Sequence, residues 1–163
     1  MQPSLEQVHD YAATHPIQFT PGIIELVDAL HKRGTDVYLV SGGFRPLILP
    51  IAKILGISKS RVYANEILFK SDGSYAGFDI NELTSDSGSK NVGKAGVCGL
   101  LKKQYHYNQL VMVGDGATDA EACPPADIFI GFGGNQVRPN VQEQADWYVY
   151  DFKTLIHELP CDD

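Results

Sequence analysis

Residues 109–119 read QLVMVGDGATD, a short apolar run that breaks into glycines and two carboxylates four residues apart. Val111, Met112 and Val113 predict a buried parallel strand, and Gly114 and Gly116 let the backbone turn sharply where that strand ends. Asp115 therefore falls at the carboxyl end of a strand. In an open α/β sheet that edge is where ligands bind, and paired carboxylates beside exposed backbone N–H groups suit a hard cation such as Mg²⁺ holding a phosphate. The same residue types also suit the start of a helix, with Asp115 as its N-cap and Asp119 on its first turn. Spacing alone leaves the two readings level.

On either side of this stretch, strands alternate with helices. Residues 36–40 (DVYLV) read as a buried strand running into Ser41-Gly42-Gly43, residues 127–130 as another that ends in Gly131-Phe132-Gly133-Gly134-Asn135, and residues 147–149 as a last one. A helix is predicted over 4–14. A second follows Thr20-Pro21-Gly22, with Pro21 in its first turn and Gly34 at its end. Further helices are predicted within 45–55, where Pro46 and Pro50 confine helix to parts of the segment, and over 94–104 and 152–159, with short helical pieces near Glu121 and at 137–143. Residues 62–64 form a short strand. Residues 66–69 and 75–78 flank an Asp72-Gly73 turn as a β-hairpin off the main sheet, and 81–92 is a loop. This rhythm describes an α/β protein, a Rossmann-like parallel sheet with helices on both faces and a small hairpin insertion.

With 163 residues, 44% of them hydrophobic, the chain is long enough for one domain with a sizeable core. Twenty acidic against 13 basic residues give a net charge of −7, so the basic footprint of a nucleic-acid or anionic-membrane partner is missing. Cys98, Cys123 and Cys161 are widely spaced and odd in number, which speaks against a disulfide scaffold or zinc site and for a reducing, cytoplasmic setting. No apolar run approaches the roughly eighteen residues of a membrane span, and residues 1–10 do not resemble a signal peptide.

Three strand ends thus carry polar, glycine-bearing turns: Ser41-Gly42-Gly43, the segment around Asp115, and residues 131–135. A hydroxyl with bare backbone amides after one strand, and carboxylates after another, can form a phosphate cradle beside a metal site. Ser41 has an alternative reading as a helix N-cap, and Lys94 and Arg138 can be fixed cations for a phosphate or ordinary surface charges.

The runs VSGGFRPLILPIAKILGI, VYANEILFKSDGSYAGFD and above all MVGDGATDAEACPPADIFIGFGGNQVRPNV resemble the phosphoserine phosphatases of the haloacid dehalogenase superfamily. The resemblance covers essentially the whole chain. It implies a haloacid dehalogenase-like core, Mg²⁺ as cofactor, and hydrolysis of a small-molecule phosphomonoester, O-phospho-L-serine, to L-serine and phosphate in serine biosynthesis. By the same resemblance Ser41, Gly42 and Gly43 bind the phosphoryl group, Asp115 ligates the metal, Asp119 steadies the groups around it, and Thr118 and Arg138 contact substrate or phosphate. The catalytic lysine is Lys94 when counted from the helix that follows, or Lys90 when counted from the loop before it. Helix register favours Lys94. Residues 1–20 would be a remnant of the helical cap and 21–163 the core, with a homodimer as one candidate assembly.

Members of this superfamily open with a strand ending in DxDx(T/V), whose first aspartate attacks phosphorus and whose second is general acid and base. Neither Asp10 nor Asp36 lies in such a context. The expectation is therefore a truncated form or fragment with little or no activity of its own. A non-catalytic phosphate- and Mg²⁺-binding or regulatory protein is the alternative. Because the family's first strand lies between the strand entering Ser41 and the strand entering Asp115, its absence requires those two to pair directly or to leave a gap.

Overall fold

The apolar run that ends in Gly114 forms a strand in a computed structural model that describes residues 3–14, 17–85 and 93–159. Among the described residues, seven strands and seven α-helices follow the predicted order. Strand β1 (Leu39–Phe44) pairs in parallel with β2 (Val62–Asn65), and β5 (Val111–Gly114), β6 (Ile128–Phe132) and β7 (Trp147–Val149) form a second parallel ladder. The register places Val111 opposite Ile128 and Gly131 opposite Tyr148. Strands β3 (Ile67–Phe69) and β4 (Tyr75–Phe78) make the separate antiparallel hairpin.

Among the described residues β1 and β5 share no ladder, so the parallel sheet is in two parts and each of these strands keeps one open edge. The strand that enters Ser41 and the strand that enters Asp115 therefore do not pair directly. With no strand beside β5 on that edge, Val111 and Val113 stay 42% and 39% exposed, although apolar strands of a parallel sheet are normally covered on both faces.

Helix packing holds the two parts. On one side α3 (Arg45–Leu55) covers β1 and β2 through a core of Val27, Ala52, Leu55, Val62 and Ala64. On the other, α2 (Ile23–Lys32) and α7 (Phe152–Glu158) close around Leu26, Phe132 and Val149, with the Phe132 and Phe152 rings stacked 4.2 Å apart. Burying side chains of this size contributes about 2 kcal/mol each before chain entropy is counted. Helix α4 (Gly93–Tyr105) bridges the parts: its Cys98 packs with Ala122, Ala126, Leu110 and Met112, while its Tyr105 ring lies 6.5 Å from that of Tyr38. Helix α1 (Leu5–Thr14) is tied at its start to the hairpin tip, Leu5 N–H donating to the Gly73 carbonyl at 2.9 Å. No helix among the described residues is long and apolar enough to cross a membrane.

Four local expectations need correction. The first strand starts at Leu39, not at residue 36; Asp36 lies ahead of the ladder, its side chain paired with Arg61 at 3.0 Å and accepting from the Tyr107 hydroxyl at 2.5 Å. That strand also continues through Ser41-Gly42-Gly43 to Phe44, which is the residue preceding α3, so Ser41 is not a helix cap. Pro21 lies outside α2; Gly22, at φ +89°, takes the N-cap position in a left-handed conformation that favours glycine. Pro50 does not break α3, which runs unbroken over Arg45–Leu55: only the Pro46 carbonyl, in the first turn, loses its partner.

Burial also sets the chemistry of a thiol. Cys98 is 3% exposed, and desolvation, with Cys123 beside it, pushes its pKa up to about 11. Its thiolate fraction at pH 8 is then about one in a thousand. Iodoacetamide at pH 8 is expected to label Cys98 only after denaturation, read by peptide mass mapping. Equal labelling rates in buffer and in urea would contradict this.

Candidate active site

Two groups of side chains gather at the carboxyl ends of the parallel strands. The first is built on GDGATD. Strand β5 ends at Gly114, and α5 (Ala117–Glu121) starts from Gly116, whose extended backbone occupies the N-cap. Asp115 is therefore not the cap, and the helix-start reading of that residue fails. Asp119 lies on the first turn of α5, 6% exposed, and both of its carboxylate oxygens are engaged. Its Oδ2 accepts the Gly116 N–H at 3.0 Å, and its Oδ1 forms an ion pair with Lys94 Nζ. A carboxylate this buried requires such partners.

Lys94 sits on the first turn of α4, and its Nζ forms an ion pair with Asp119. Lys90 lies outside the described residues. Asp115 is 40% exposed in its side chain and pairs with Arg138 at 3.6 Å. Arg138 Nη1 also donates to the Asp115 backbone carbonyl at 2.8 Å, and Nη2 donates to Gln136 at 3.0 Å. Thr118 is exposed beside Gly116, its hydroxyl 4.0 Å from where a Cβ there would stand. Lys94 and Arg138 thus offer two cations next to one carboxylate, Asp115, that is accessible and one, Asp119, that is fully occupied.

The second group surrounds Ser41-Gly42-Gly43. Ser41 Oγ accepts the Gly43 N–H at 3.0 Å, and a Cβ built on Gly42 meets nothing within 4 Å, so the backbone there is open to an incoming group. Behind it, Asn65 Nδ2 donates to the Gly42 carbonyl at 2.7 Å while Thr84 Oγ1 donates to Asn65 Oδ1 at 2.8 Å. Arg45 donates to the Val62 carbonyl at 2.8 Å and pairs with Glu66 at 2.6 Å and Glu82 at 3.4 Å.

Among the described residues no hydrogen bond or ion pair joins the two groups, and no three His, Cys, Asp or Glu side chains cluster as a metal cage. A lone accessible carboxylate fits a hard cation that retains most of its waters and takes further oxygens from a phosphate. Sequence reasoning missed Asn65, Thr84 and Arg45. Their only signal is a polar residue closing the VYA strand and a cation directly after SGGF.

Sequence and structure comparisons agree. A haloacid dehalogenase-like hydrolase profile matches residues 2–127. Phosphoserine phosphatase from Bos taurus is 50% identical over 159 residues, a match spanning 98% of this chain and 69% of that protein. Among solved structures, a phosphoserine phosphohydrolase-like protein from Francisella tularensis superposes with a TM-score of 0.81 at 25% identity, covering 97% of this chain and 71% of the other. A structure of phosphoserine phosphatase as a phospho-aspartyl intermediate analogue gives 0.77 at 27% identity, covering 98% and 72%. With half its residues identical to a phosphatase along nearly its whole length and the same fold beneath them, the chain belongs to the phosphoserine phosphatases of the haloacid dehalogenase-like hydrolases.

Proposed function

We propose that these residues serve the Mg²⁺-dependent hydrolysis of O-phospho-L-serine, and that the chain as it stands supplies the phosphate- and metal-binding half of that site. In this reading residues 1–20 are a remnant of the cap and 21–163 the core. Asp115 holds the ion, which when bound neutralises charge on the phosphoryl oxygens. Asp119 keeps Lys94 in place and the turn closed. Ser41, Gly42 and Gly43 offer a hydroxyl and backbone amides to the phosphoryl oxygens, and Lys94, Arg138 and Thr118 add donors from the opposite side.

The observation that carries this reading is the division of labour between the two aspartates. Lys94 and the Gly116 amide occupy Asp119, and Asp115 is left accessible. Nothing in this set can act as the attacking group, because Asp115 cannot both hold the metal and attack phosphorus. Calorimetric titration is expected to show orthophosphate binding that depends on MgCl₂ and weakens at least about tenfold, some 1.4 kcal/mol, in Asp115→Asn. Phosphoserine should be bound without measurable phosphate release. A folded chain that binds no orthophosphate, or an Asp115→Asn variant that binds as well as the parent, would overturn the site. Release at the rate of a complete enzyme would overturn the half-site reading.

A further inference from the structure

The ladder between β1 and β2 is interrupted beside the candidate site. Leu39 pairs with Val62 and Val40 with Tyr63, and pairing resumes only at Phe44 with Asn65. Ser41, Gly42 and Gly43 therefore bulge out opposite Ala64 alone. A bulge leaves backbone groups without ladder partners and bends the strand locally. Here two side chains take over. Asn65 Nδ2 reaches across to the Gly42 carbonyl at 2.7 Å, and Arg45 Nη2 to the Ala64 carbonyl at 3.4 Å.

From this we infer that Asn65 is a positioning residue that latches the Gly42–Gly43 peptide in the orientation the Ser41 loop uses to receive a phosphoryl group. Two glycines place little restraint on that peptide plane. With its carbonyl held toward β2, the Gly43 N–H is directed away from β2, where Ser41 Oγ accepts it at 3.0 Å. The carboxamide is itself fixed from both ends: the Gly42 carbonyl can only accept, so Nδ2 faces the loop, and Thr84, 8% exposed, donates to Oδ1. Thr84 belongs to the short turn Leu83–Ser85 that packs against α4, the helix bearing Lys94. The latch therefore links the Ser41 loop to the turn that packs on the helix bearing Lys94.

This inference rests on the phosphate-binding reading, and its test separates the two. Asn65→Asp keeps size and the acceptor for Thr84 but sets two oxygens against each other where a hydrogen bond stood. Asn65→Ala removes the donor without repulsion. Both are expected to displace the Gly43 amide resonance in ¹⁵N–¹H spectra recorded without ligand, and to weaken Mg²⁺-dependent orthophosphate binding about tenfold at a temperature well below melting. Asp151→Ala, which removes the side-chain cap of α7 where Asp151 Oδ1 accepts the Thr154 N–H at 2.8 Å, is the control for lost stability alone. Retained affinity with an unmoved Gly43 resonance, or a loss that Asp151→Ala reproduces at an equal drop in melting temperature, would overturn the latch. If the unmodified chain binds no orthophosphate, the reading of the site fails, and the ligand-free Gly43 resonance alone decides whether Asn65 holds the loop.

Discussion

Joining an apolar strand that ends in the superfamily's DxDx(T/V) motif to the amino terminus of this chain is expected to raise phosphoserine hydrolysis at least about 10³-fold. The expectation rests on chemistry and on sheet geometry together. Chemically, the proposed site offers cations, backbone amides, a hydroxyl and one accessible carboxylate, Asp115, and with that carboxylate holding the metal no side chain of the proposed set is left to attack phosphorus. Donors that stabilise a transition state accelerate little when the covalent step has no nucleophile. Geometrically, β1 and β5 each pair on one edge only among the described residues; β5 ends in the Gly114 turn, and β1 carries Ser41-Gly42-Gly43 as a bulge just before its end. A strand parallel to both would satisfy two rows of open backbone groups and cover Val111 and Val113. Its carboxyl end would then carry the aspartates between Ser41 and Asp115. Phosphate release from phosphoserine with Mg²⁺ measures the gain, and changing the first aspartate of the added motif to asparagine should return it to the level of the unextended chain. An extended chain no faster than the parent, or a parent already as fast, defeats the prediction. Cooperative melting should also move upward on extension, because edges open in the parent become paired.

Elements whose order depends on local pattern were legible in the sequence; features that depend on distant partners were not. Val111, Met112 and Val113 announce β5 by composition, and the Asp72-Gly73 turn announces the hairpin by its demand for a left-handed glycine, seen at Gly73 with φ +85°. Helix register places Lys94 on the first turn of α4, but its pairing with Asp119, 25 residues away in sequence, carries no signal in the local pattern. Likewise, the partners that hold Asp36 ahead of β1, Arg61 and Tyr107, are each more than twenty residues away and leave no mark on the local pattern. The bulge at Ser41-Gly42-Gly43 is equally hidden, because it exists only relative to the register of β2 and is sustained by Asn65 and Arg45 across the sheet. Asp115 and Asp119 look alike at the level of spacing. Only burial and partners assign one to structure and leave the other accessible.

Replacing Gly114 with alanine should be the most damaging single substitution at this site. A Cβ there would stand 2.1 Å from Asp119 Cγ and 2.2 Å from Oδ2, distances at which something must move. Asp119 has nowhere to go without losing its partners. Displacing it removes the acceptor for the Gly116 N–H and leaves Lys94 without its counter-charge in a half-buried position. Breaking such a network while overpacking it is expected to cost about 4 kcal/mol, and for a chain of this size that lowers the melting temperature by about 10 °C. Orthophosphate binding should disappear with it. Gly42→Ala is the informative companion, since a methyl there meets nothing within 4 Å. Its stability should stay within about 0.5 kcal/mol of the parent, while the methyl projects where a phosphoryl group would approach the Ser41 loop and weakens orthophosphate binding. Thermal melts and titrations on both variants separate fold from site: Gly114→Ala loses both, Gly42→Ala loses only the ligand. A Gly114→Ala chain that melts with the parent would mean that Asp119 is free to move, and its role as the anchor for Lys94 would fall.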